Sequence, residues 1–366
     1  MRISYLLLDP GIPVFGTKGA SVHVQEVVRT LRTAGHEVTV HALRIGKDVP
    51  ADLVDLPVQH HRLPSGLDAA ARERALAAIS DEVAAAAAAE QGHTVPFVLE
   101  VNAPLVEEQA AHRSLSDTAG AWAATARQFA AARVLACVSE PVAAWAREHG
   151  AAAEAVHVLP NGVNVDGIRP ADPARPTTDE RDLVVGFVGT LKPWHGTDVL
   201  LRAAARTRHT LRLEIIGTGP CCEELEQLAD ELGLGDRVRF RGALAPADVP
   251  RALQGLDLAV APYPRGPHYF SPLKVYEYLA AGLPIIASAI GSLPELLQDG
   301  ELGVLVPAGD VEALATALDD LARDPARRTE LGQSAREAAV TDHSWTSRCR
   351  DLLALVVPRE RIEDRS

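Results

Sequence analysis

The apolar residues of this chain form short continuous runs separated by longer amphipathic or polar stretches. Residues 183–190 show no alternation of apolar and polar positions, and residues 2–8 end in a continuous apolar run, as is typical of parallel strands buried on both faces. Between such runs, residues 21–34 place apolar side chains three and four positions apart, and this spacing predicts an amphipathic helix. The alternation of strands and helices predicts an α/β fold with parallel sheets.

The same pattern predicts two doubly wound domains joined by a polar linker. We assign residues 1–165 to the first domain and 182–342 to the second, followed by a final helix within 343–366. Residues 166–181 are rich in Pro, Asp and Thr without apolar periodicity, so they are the predicted linker. The predicted strands are 2–8, 37–41, 95–101, 133–138, 155–159, 183–190, 211–217, 238–242 and 304–307, and the predicted helices are 21–34, 67–91, 140–149, 197–206, 310–323 and 344–355.

Length and charge limit the classes of function that fit the chain. Its 366 residues suffice for two domains with separate cores. A net charge of −13 makes nucleic acid and anionic membrane surfaces poor partners, because both require a basic surface. The first apolar run is too short for a signal peptide, and no later run has membrane-spanning length. We therefore expect a cytoplasmic protein without stable membrane association.

Neither the cysteines nor the carboxylates are arranged as metal ligands. Cys137, Cys221, Cys222 and Cys349 lack the paired spacing of a zinc site and the density of a disulfide framework. The chain also contains no Asp-x-Asp and no His-Glu-x-x-His sequence. We expect reduced, packing cysteines and no bound metal.

The stretch around Ser271 carries the strongest local signal for a binding site. Ser271 followed by Pro272 predicts a helix start, because Ser caps free backbone amides and Pro is tolerated in the first turn. That turn offers the amides of Leu273 and Lys274, the helix dipole and an ammonium group to a phosphate. Glu277 shares their face of the helix. Two interpretations stay open: Glu277 accepts hydrogen bonds from a ribose diol, or it pairs with Lys274 on the helix surface.

The order SPLKVYEYLAAGLPIIAS followed by GSLPELLQDGELGVLVPAGD resembles the donor-binding segment of the retaining family-four glycosyltransferases, also called glycosyl transferases group 1. The resemblance implies the GT-B fold, in which two Rossmann-like doubly wound domains face each other across a cleft. Of the family's two glutamates, which are separated by seven residues, Glu277 matches the second, the ribose ligand, and Tyr269 stands at the place of the first. The resemblance thus implies donor contacts at Ser271, Leu273 and Glu277, with Lys274 on the diphosphate.

The resemblance assigns the diphosphate to a second loop as well. The family's Gly-Arg-Leu-x-Pro-x-Lys-Gly corresponds to residues 189–196, where Thr190 replaces the Arg and His195 replaces the Lys. We expect Lys192 and His195 to supply positive charge there, beside the backbone amides of Gly189 and Thr190. A histidine held near a diphosphate should have a raised pKa.

Two further features of the second half have a role implied by the resemblance. The corner after predicted strand 238–242 contacts the nucleobase in the family, so Arg241, Gly242 and Ala243 are candidates for the base site. Trp194 has two interpretations, a ring that closes over the base or acceptor and a partly buried packing residue.

In the first half, Gly16-Thr-Lys-Gly-Ala-Ser is a glycine loop without a full dinucleotide fingerprint, and a simple turn is one interpretation. Family members bring such a loop to the donor diphosphate and acceptor; Gly19 matches it, and His23 either joins it or packs on its helix. Asn102 ends a predicted strand where the family often has a histidine. Its amide hydrogen-bonds a sugar hydroxyl or completes a turn, but it cannot take a proton. We expect Glu100 to face the cleft or solvent.

These features together predict a metal-independent, retaining glycosyltransferase that uses a nucleotide diphosphate sugar as co-substrate, with a UDP-sugar favoured and a GDP-sugar as the alternative. The expected acceptor is a soluble small molecule, as in specialised-metabolite biosynthesis, and the expected catalytic side chains are Lys192, His195, Lys274 and Asn102. Two other functions stay open. One is a non-catalytic nucleotide-sugar sensor on the same fold, which the departures at Tyr269, Thr190 and Asn102 favour, and the other is a nucleotide-sugar epimerase.

Overall fold

A computed structural model of the chain describes residues 1–91, 95–112, 115–172, 182–266 and 268–356. They divide into two compact units. The first unit holds Met1–Asn161, Tyr269–Ser271 and the described part of Trp345–Ser366, and the second holds Gly162–His268 and Pro272–Ser344. Of the predicted linker, residues 173–181 lie outside the described residues, as do residues 357–366 of the predicted final segment.

The first unit is built from alternating strands and helices. Its strands form two parallel sheets of three, each in the sequential order of its strands. The elements are β1 (Arg2–Leu7), α1 (Gly19–Thr33), β2 (Glu37–Ala42), β3 (Val58–His60), α2 (Ala69–Gln91), β4 (Val98–Val101), α3 (Leu105–His112), α4 (Thr118–Ala131), β5 (Val134–Cys137), α5 (Glu140–Glu148) and β6 (Val156–Val158).

The second unit contains one six-stranded parallel sheet with helices between its strands. The last helix of the chain returns to the first unit. The elements are β7 (Leu183–Val188), α6 (Thr197–Ala204), β8 (Leu211–Ile216), α7 (Cys222–Glu231), β9 (Val238–Gly242), α8 (Val249–Gln254), β10 (Leu258–Ala261), α9 (Leu273–Ala280), β11 (Ile285–Ser288), α10 (Leu293–Leu296), β12 (Val304–Val306), α11 (Val311–Arg323), α12 (Pro325–Thr341) and, in the first unit, α13 (Trp345–Val356).

The strand order of the second unit determines where a ligand binds. The sheet reads β12-β11-β10-β7-β8-β9, so the chain runs outward from β7 in one direction and then from β10 in the other. This is the doubly wound order, and open sheets of this kind bind ligands outside the carboxyl ends of the strands where the direction switches. The predicted α/β fold with doubly wound domains is confirmed, and the candidate site lies at the ends of β7 and β10.

The uninterrupted apolar runs are explained by the position of the strands in the sheet. Val185 and Phe187 of β7 and Val260 of β10 have no exposed surface, because helices cover both faces of these central strands. The amphipathic helices follow the same logic. Leu314 and Leu318 of α11 are buried on one side, and the helix is capped by the side chain of Asp310, which accepts a hydrogen bond from Ala313 N at 2.9 Å.

A helix begins within two residues of the predicted position, but the prediction that Ser271 caps it is wrong. Helix α9 begins at Leu273, Pro272 occupies its N-cap position, and no side chain caps it. The Ser271 hydroxyl instead accepts a hydrogen bond from the backbone N of Asn161 at 3.0 Å, and the Ser271 carbonyl accepts one from Asn161 Nδ2 at 2.9 Å. These two long-range bonds satisfy Ser271 in place of the local cap.

Two long helices were not predicted from the sequence. Helices α4 and α12 are rich in alanine and show no strong apolar stripe, so periodicity did not indicate them. Each nevertheless begins with a local N-cap signal. The side chains of Asp117 and Asp324 accept hydrogen bonds from Gly120 N and Arg327 N, both at 2.8 Å, as N-cap residues do.

Candidate active site

Three glycines stack at the carboxyl edge of the second unit's sheet. Gly189 N donates to Ile216 O at 2.9 Å, and Gly217 N donates to Gly242 O at 2.8 Å. A Cβ on Gly217 would lie 1.9 Å from Gly189 O, so no side chain fits between these backbones. Gly217 is not among the residues predicted from the sequence, because its turn lacks the lysine of a P-loop. The packing leaves bare backbone facing the end of the sheet, as close approach of a phosphate requires.

Lys274, in the first turn of α9, extends towards this edge. Its Nζ is buried without a hydrogen-bond partner among the described residues. It lies 4.1 Å from the ring centroid of Phe187 and 5.2 Å from that of Tyr263, and a Cβ on Gly189 would be 3.0 Å from it. Burial lowers the pKa of Lys274 to about 7, against the opposing effect of the Glu277 charge. An ammonium with no counter-group in hydrogen-bond range suits an anionic ligand.

Glu277 lies one turn further along α9. Burial raises the pKa of Glu277 to about 7, and the charge of Lys274 opposes this increase. Because Lys274 Nζ has no hydrogen-bond partner in the described part of the chain, the two groups influence each other only through their charges. The alternative in which the pair forms an ordinary ion pair on an exposed helix surface therefore does not describe this structure.

The loop after β7 supplies two more of the predicted residues. Lys192 Nζ lies 4.5 Å from the ring centroid of Trp194, whose side chain is 40% exposed. His195 Nδ1 donates a hydrogen bond to Thr190 O, which assigns the ring proton to Nδ1. Burial, followed by the charge of Lys274, lowers the pKa of His195 to about 4. His195 is therefore neutral here, contrary to the positive charge expected for it from the sequence, because these two effects disfavour the cation.

The predicted base-site residues lie at the end of the neighbouring strand. Gly242 has a φ of 69°, which places the corner in the left-handed region, and Ala243 beyond it is exposed. Arg241 Nε lies 3.6 Å from Glu214 Oε2 on β8, so this guanidinium forms an ion pair with the neighbouring strand. The backbone of Gly242 and Ala243, more than the Arg241 side chain, is available to a ligand.

The first unit contains a partly buried polar network that includes two predicted residues, His23 and Glu100, in unexpected roles. His23 on α1 donates from Nε2 to Glu100 Oε1 at 3.3 Å and from Nδ1 to Asn161 Oδ1 at 3.0 Å. Tyr5 donates to Glu100 Oε2 at 3.1 Å, and the ring of Trp345 meets that of His23 edge-on at 4.8 Å. Glu100 was expected to face the cleft or solvent; its carboxylate instead points into the unit, where these donors satisfy it.

The charges of this network follow from its hydrogen bonds. Both partners of the His23 ring are oxygen acceptors, so both ring nitrogens carry protons and the ring is a cation. Burial disfavours this cation, but the charge and hydrogen bond of Glu100 raise the pKa of His23 above its ordinary value. Burial likewise disfavours the Glu100 carboxylate, yet His23 and the Tyr5 hydroxyl lower its pKa. The pair is ionised and fully partnered.

The remaining predicted residues of the first unit lie at exposed positions. Gly19 is the exposed first residue of α1, and Asn102 follows β4 with an exposed side chain. The Ser139 hydroxyl, after β5, donates a hydrogen bond to Tyr269 O, and the Tyr269 ring packs against this unit's core. The structure therefore brings Gly189, Thr190, Lys192, His195 and Lys274 together in the second unit, whereas Gly19, Asn102 and Ser271 belong to the first.

The described residues contain no group of three or more His, Cys, Asp or Glu side chains that could hold a metal ion. The four cysteines are free. In the same part of the chain, no helix is both long enough and apolar enough to cross a membrane.

Two family sequence models match successive parts of the chain. One, described as Glycosyltransferase Family 4, matches residues 17–166, and the other, described as Glycosyl transferases group 1, matches residues 182–324. The two matches leave out the polar segment between the predicted domains and together include every residue of the candidate site.

Among curated proteins, the chain is 32% identical over 217 residues to a GDP-mannose-dependent alpha-(1-6)-phosphatidylinositol monomannoside mannosyltransferase of Mycolicibacterium smegmatis, which covers 56% of this chain and 57% of that protein. It is 33% identical over 220 residues to a D-inositol 3-phosphate glycosyltransferase of Mycobacterium marinum, covering 56% of this chain and 46% of that protein. The chain thus matches about half the length of these relatives.

Solved structures match over nearly the full length. Anabaena HepE in complex with UDP and glucose superposes with a TM-score of 0.74 at 20% identity, covering 96% of this chain and 98% of that one. Sucrose-phosphate synthase from Thermosynechococcus elongatus superposes with a TM-score of 0.74 at 21% identity, covering 100% of both chains. At these identities the likeness concerns the fold.

Proposed function

The chain belongs to the family-four glycosyltransferases with the GT-B fold, and on this premise we propose that it transfers a sugar from a nucleotide diphosphate donor to a soluble small-molecule acceptor. The observation that supports this most directly is the buried, unpartnered ammonium of Lys274 at the glycine edge of the second unit's sheet. A diphosphate is the anion that fits this combination of cation, bare backbone and helix start.

Each part of the donor has a proposed partner in the second unit. Lys274 and Lys192 hold the diphosphate, together with the backbone amides of Gly189, Thr190 and Leu273. Glu277 accepts hydrogen bonds from the ribose diol, and the backbone after β9 meets the base. His195, neutral without a donor, gains a proton when a diphosphate is bound, because a dianion nearby raises the pKa of an imidazole.

For the reaction we propose a metal-independent mechanism with retention of configuration. The bond between the sugar's anomeric carbon and the diphosphate oxygen breaks, and the acceptor oxygen bonds to the same face of that carbon. The acceptor's hydroxyl proton passes to the departing phosphate oxygen, so no protein base is needed, and Asn102 binds without taking a proton. Lys192, Lys274 and the helix start stabilise the negative charge that develops on the diphosphate.

The base of the donor is proposed to be uracil, with guanine as the alternative. HepE was solved with UDP at 20% identity, whereas the mannosyltransferase at 32% identity is named for GDP-mannose. The second candidate function, a nucleotide-sugar sensor without turnover, is favoured by the exposed amide of Asn102 in place of a histidine.

The test is a matrix of UDP- and GDP-sugars against a panel of polyols, sugar phosphates and hydroxylated metabolites, with products identified by mass spectrometry. We expect a mass increase of one glycosyl unit with at least one pair, lost in Lys274→Ala. Donor binding without turnover on any acceptor would support the sensor, sugar inversion without acceptor would support an epimerase, and no donor binding would overturn the proposal. NMR analysis of the product's anomeric configuration tests whether the configuration of the donor sugar is retained.

A further inference from the structure

Strands β7 and β10 separate before either of them ends. In the described part of the chain the last pair between them is Gly186 with Ala259, although both strands continue for two more residues, to Val188 and Ala261. The direction of the sheet switches between these two strands, so ligands are expected outside their ends. Val188 is buried, and its backbone N–H and C=O therefore need partners other than β10.

The hydroxyl of Tyr278 is that partner. Val188 N donates to Tyr278 Oη at 2.8 Å, and the same hydroxyl donates to Val188 O at 3.5 Å. Tyr278 lies on α9 without exposed surface. Burial raises the pKa of its hydroxyl, which therefore keeps the proton that the second hydrogen bond needs. One side chain thus replaces the missing strand pairing and links α9 to the end of β7.

Tyr278 shares its face of α9 with Lys274, one turn earlier in the helix. Gly189 follows the Val188 position that the hydroxyl holds, and a Cβ on Gly189 would lie 3.0 Å from Lys274 Nζ. Phe187 precedes that position, and the centroid of its ring lies 4.1 Å from the same nitrogen. The residues on both sides of Val188 therefore line the ammonium, so the distance between α9 and β7 determines how closely they cover it.

We propose that Tyr278 is a positioning residue whose hydroxyl fixes the end of β7 against α9 and so holds Lys274 beside Gly189, where the donor diphosphate binds. The proposal rests on the proposed function for the identity of the anion. Without the hydroxyl, the buried N–H of Val188 is satisfied only by water or by a shift of the strand end, and either change opens the contacts around the ammonium. Tyr278→Phe keeps the ring and removes only these hydrogen bonds.

The first experiment measures the pKa of Lys274 without a donor and so separates this inference from the proposed function. The chain has four lysines, so NMR of protein labelled with ¹³C-lysine gives few signals, and Lys274→Arg assigns the relevant one. Burial lowers the pKa of Lys274 to about 7, against the charge of Glu277. In Tyr278→Phe water reaches the ammonium, so this pKa should rise by about 1 or more. An unchanged pKa overturns the inference.

The second experiment is a double-variant cycle on the affinity for UDP and GDP, measured by calorimetry. Tyr278→Phe should weaken binding by about 3- to 10-fold, the effect of one hydrogen bond expressed as affinity. In the Lys274→Ala background the same change should weaken it by less than about twofold, because residues that act together are not additive. Equal losses in both backgrounds would mean that Tyr278 supports the fold without positioning Lys274, and they overturn the proposal.

The two experiments distinguish the inference from its premise. If the wild type binds neither nucleotide, the proposed function fails, whereas the pKa of Lys274 still decides whether the hydroxyl positions this ammonium. Tyr276→Phe is the matched control, because Tyr276 is another buried tyrosine of α9 and its ring meets that of His343 edge-on at 5.4 Å. It should leave the pKa of Lys274 and the nucleotide affinity at their wild-type values. Effects equal to those of Tyr278→Phe would indicate a general loosening of the helix and overturn the proposal.

Hydrogen exchange of the wild type covers the case in which Tyr278→Phe fails to fold. The amide of Val188 should exchange as slowly as that of Val185, which lies within the paired part of β7, because the hydroxyl accepts its hydrogen bond. Exchange of the Val188 amide at the rate of an exposed loop amide would show that the hydroxyl does not hold the strand end, and would overturn the proposal.

Discussion

Each unit holds a partly buried carboxylate near a cationic side chain, and the two pairs are completed in different ways. In the first unit, Glu100 accepts hydrogen bonds from both Tyr5 and His23, and the histidine's second nitrogen also has an acceptor. In the second unit, Lys274 Nζ has no hydrogen-bond partner among the described residues, and only its charge couples it to Glu277.

This difference separates a structural pair from a functional one. Desolvated charges are stable when hydrogen bonds replace the lost water, and the His23–Glu100 pair meets that condition without a ligand. The charges of Lys274 and Glu277 are incompletely compensated, as the opposite shifts of their pKa values towards about 7 indicate. A donor that brings a diphosphate and a ribose diol compensates both. Removing a member of each pair should therefore damage stability in one case and binding in the other.

The largest effect is expected for stability in Glu100→Ala. The change leaves the buried His23 cation and the partly buried Tyr5 hydroxyl without this acceptor, and the free energy of unfolding should fall by about 3 kcal/mol. Denaturant titration followed by tryptophan fluorescence measures it, with the exposed Glu37→Ala as the control that should change it by less than about 0.5 kcal/mol. A loss below about 1 kcal/mol would mean that the pair does not support the first unit.

The next largest effects are kinetic, and they divide the two lysines. Lys274→Ala should raise the donor KM and lower kcat, because this ammonium meets the diphosphate in the ground state and the transition state alike. Lys192→Ala should mostly lower kcat, by about 10²-fold or more, as loss of one charge-stabilising donor does. Steady-state kinetics of both variants test this prediction, with Lys47→Ala, at an exposed position, as the control. A kcat near the wild-type value for Lys192→Ala would contradict its proposed role in stabilising the developing charge and would favour His195 for that role.

Glu277→Gln should weaken nucleotide binding without loss of stability, whereas Glu100→Ala should reduce stability. Affinity for the nucleoside diphosphate should fall by about 1–3 kcal/mol, the range of a hydrogen bond to a charged group. The free energy of unfolding should stay the same or rise, because burial already disfavours the Glu277 carboxylate. Calorimetry and denaturant titration on one preparation measure both. If stability falls while affinity is unchanged, Glu277 is a packing residue and the comparison fails.

The pH dependence of donor binding provides a finer test. Burial lowers the pKa of Lys274 and raises that of Glu277, each to about 7, so the ammonium is lost above this value and the carboxylate below it. Affinity should peak near neutral pH and fall by up to about tenfold per pH unit on either side. Lys274→Arg should remove the alkaline limb, and Glu277→Gln the acidic limb. A single monotonic slope in the wild type would contradict the pairing.

The smallest effect is expected for removal of metal ions, which should leave kcat nearly unchanged. Because cationic side chains and a helix start are proposed to stabilise the diphosphate, treatment with EDTA followed by gel filtration should change kcat by less than about twofold. Activity that is lost on chelation and returns only with magnesium or manganese would contradict the metal-independent mechanism.

The sequence was most informative where a local pattern also decides the structure. The apolar run at 183–190 contains β7 (Leu183–Val188), since parallel strands in a sheet core need uninterrupted apolar residues. The spacing of Lys274 and Glu277 correctly placed them on one helix. Spacing could not show that both are buried without bonding to each other, because burial depends on Phe187 and Tyr263, which come from other strands and loops.

The predictions failed where distant residues decide the outcome. Ser271 has a strong local signal for a cap. Its hydroxyl and carbonyl oxygens instead accept hydrogen bonds from Asn161, 110 residues earlier in the chain. The neutral state of His195 depends on burial and on Lys274 from another element. The inward orientation of the Glu100 carboxylate follows from its hydrogen bonds with His23 and Tyr5, and no sequence pattern near either residue indicates these contacts.

The course of the chain between the units has a consequence for its synthesis on the ribosome. The first unit includes Met1–Asn161 but also Tyr269–Ser271 and α13, whose Trp345 covers the His23 ring. Translation delivers these last pieces only after the whole sheet of the second unit has emerged. The second unit thus has its complete sheet and can fold while the first still lacks a helix. Nascent chains arrested before residue 345 would leave the apolar side of α1 uncovered and bind chaperones more strongly than longer ones.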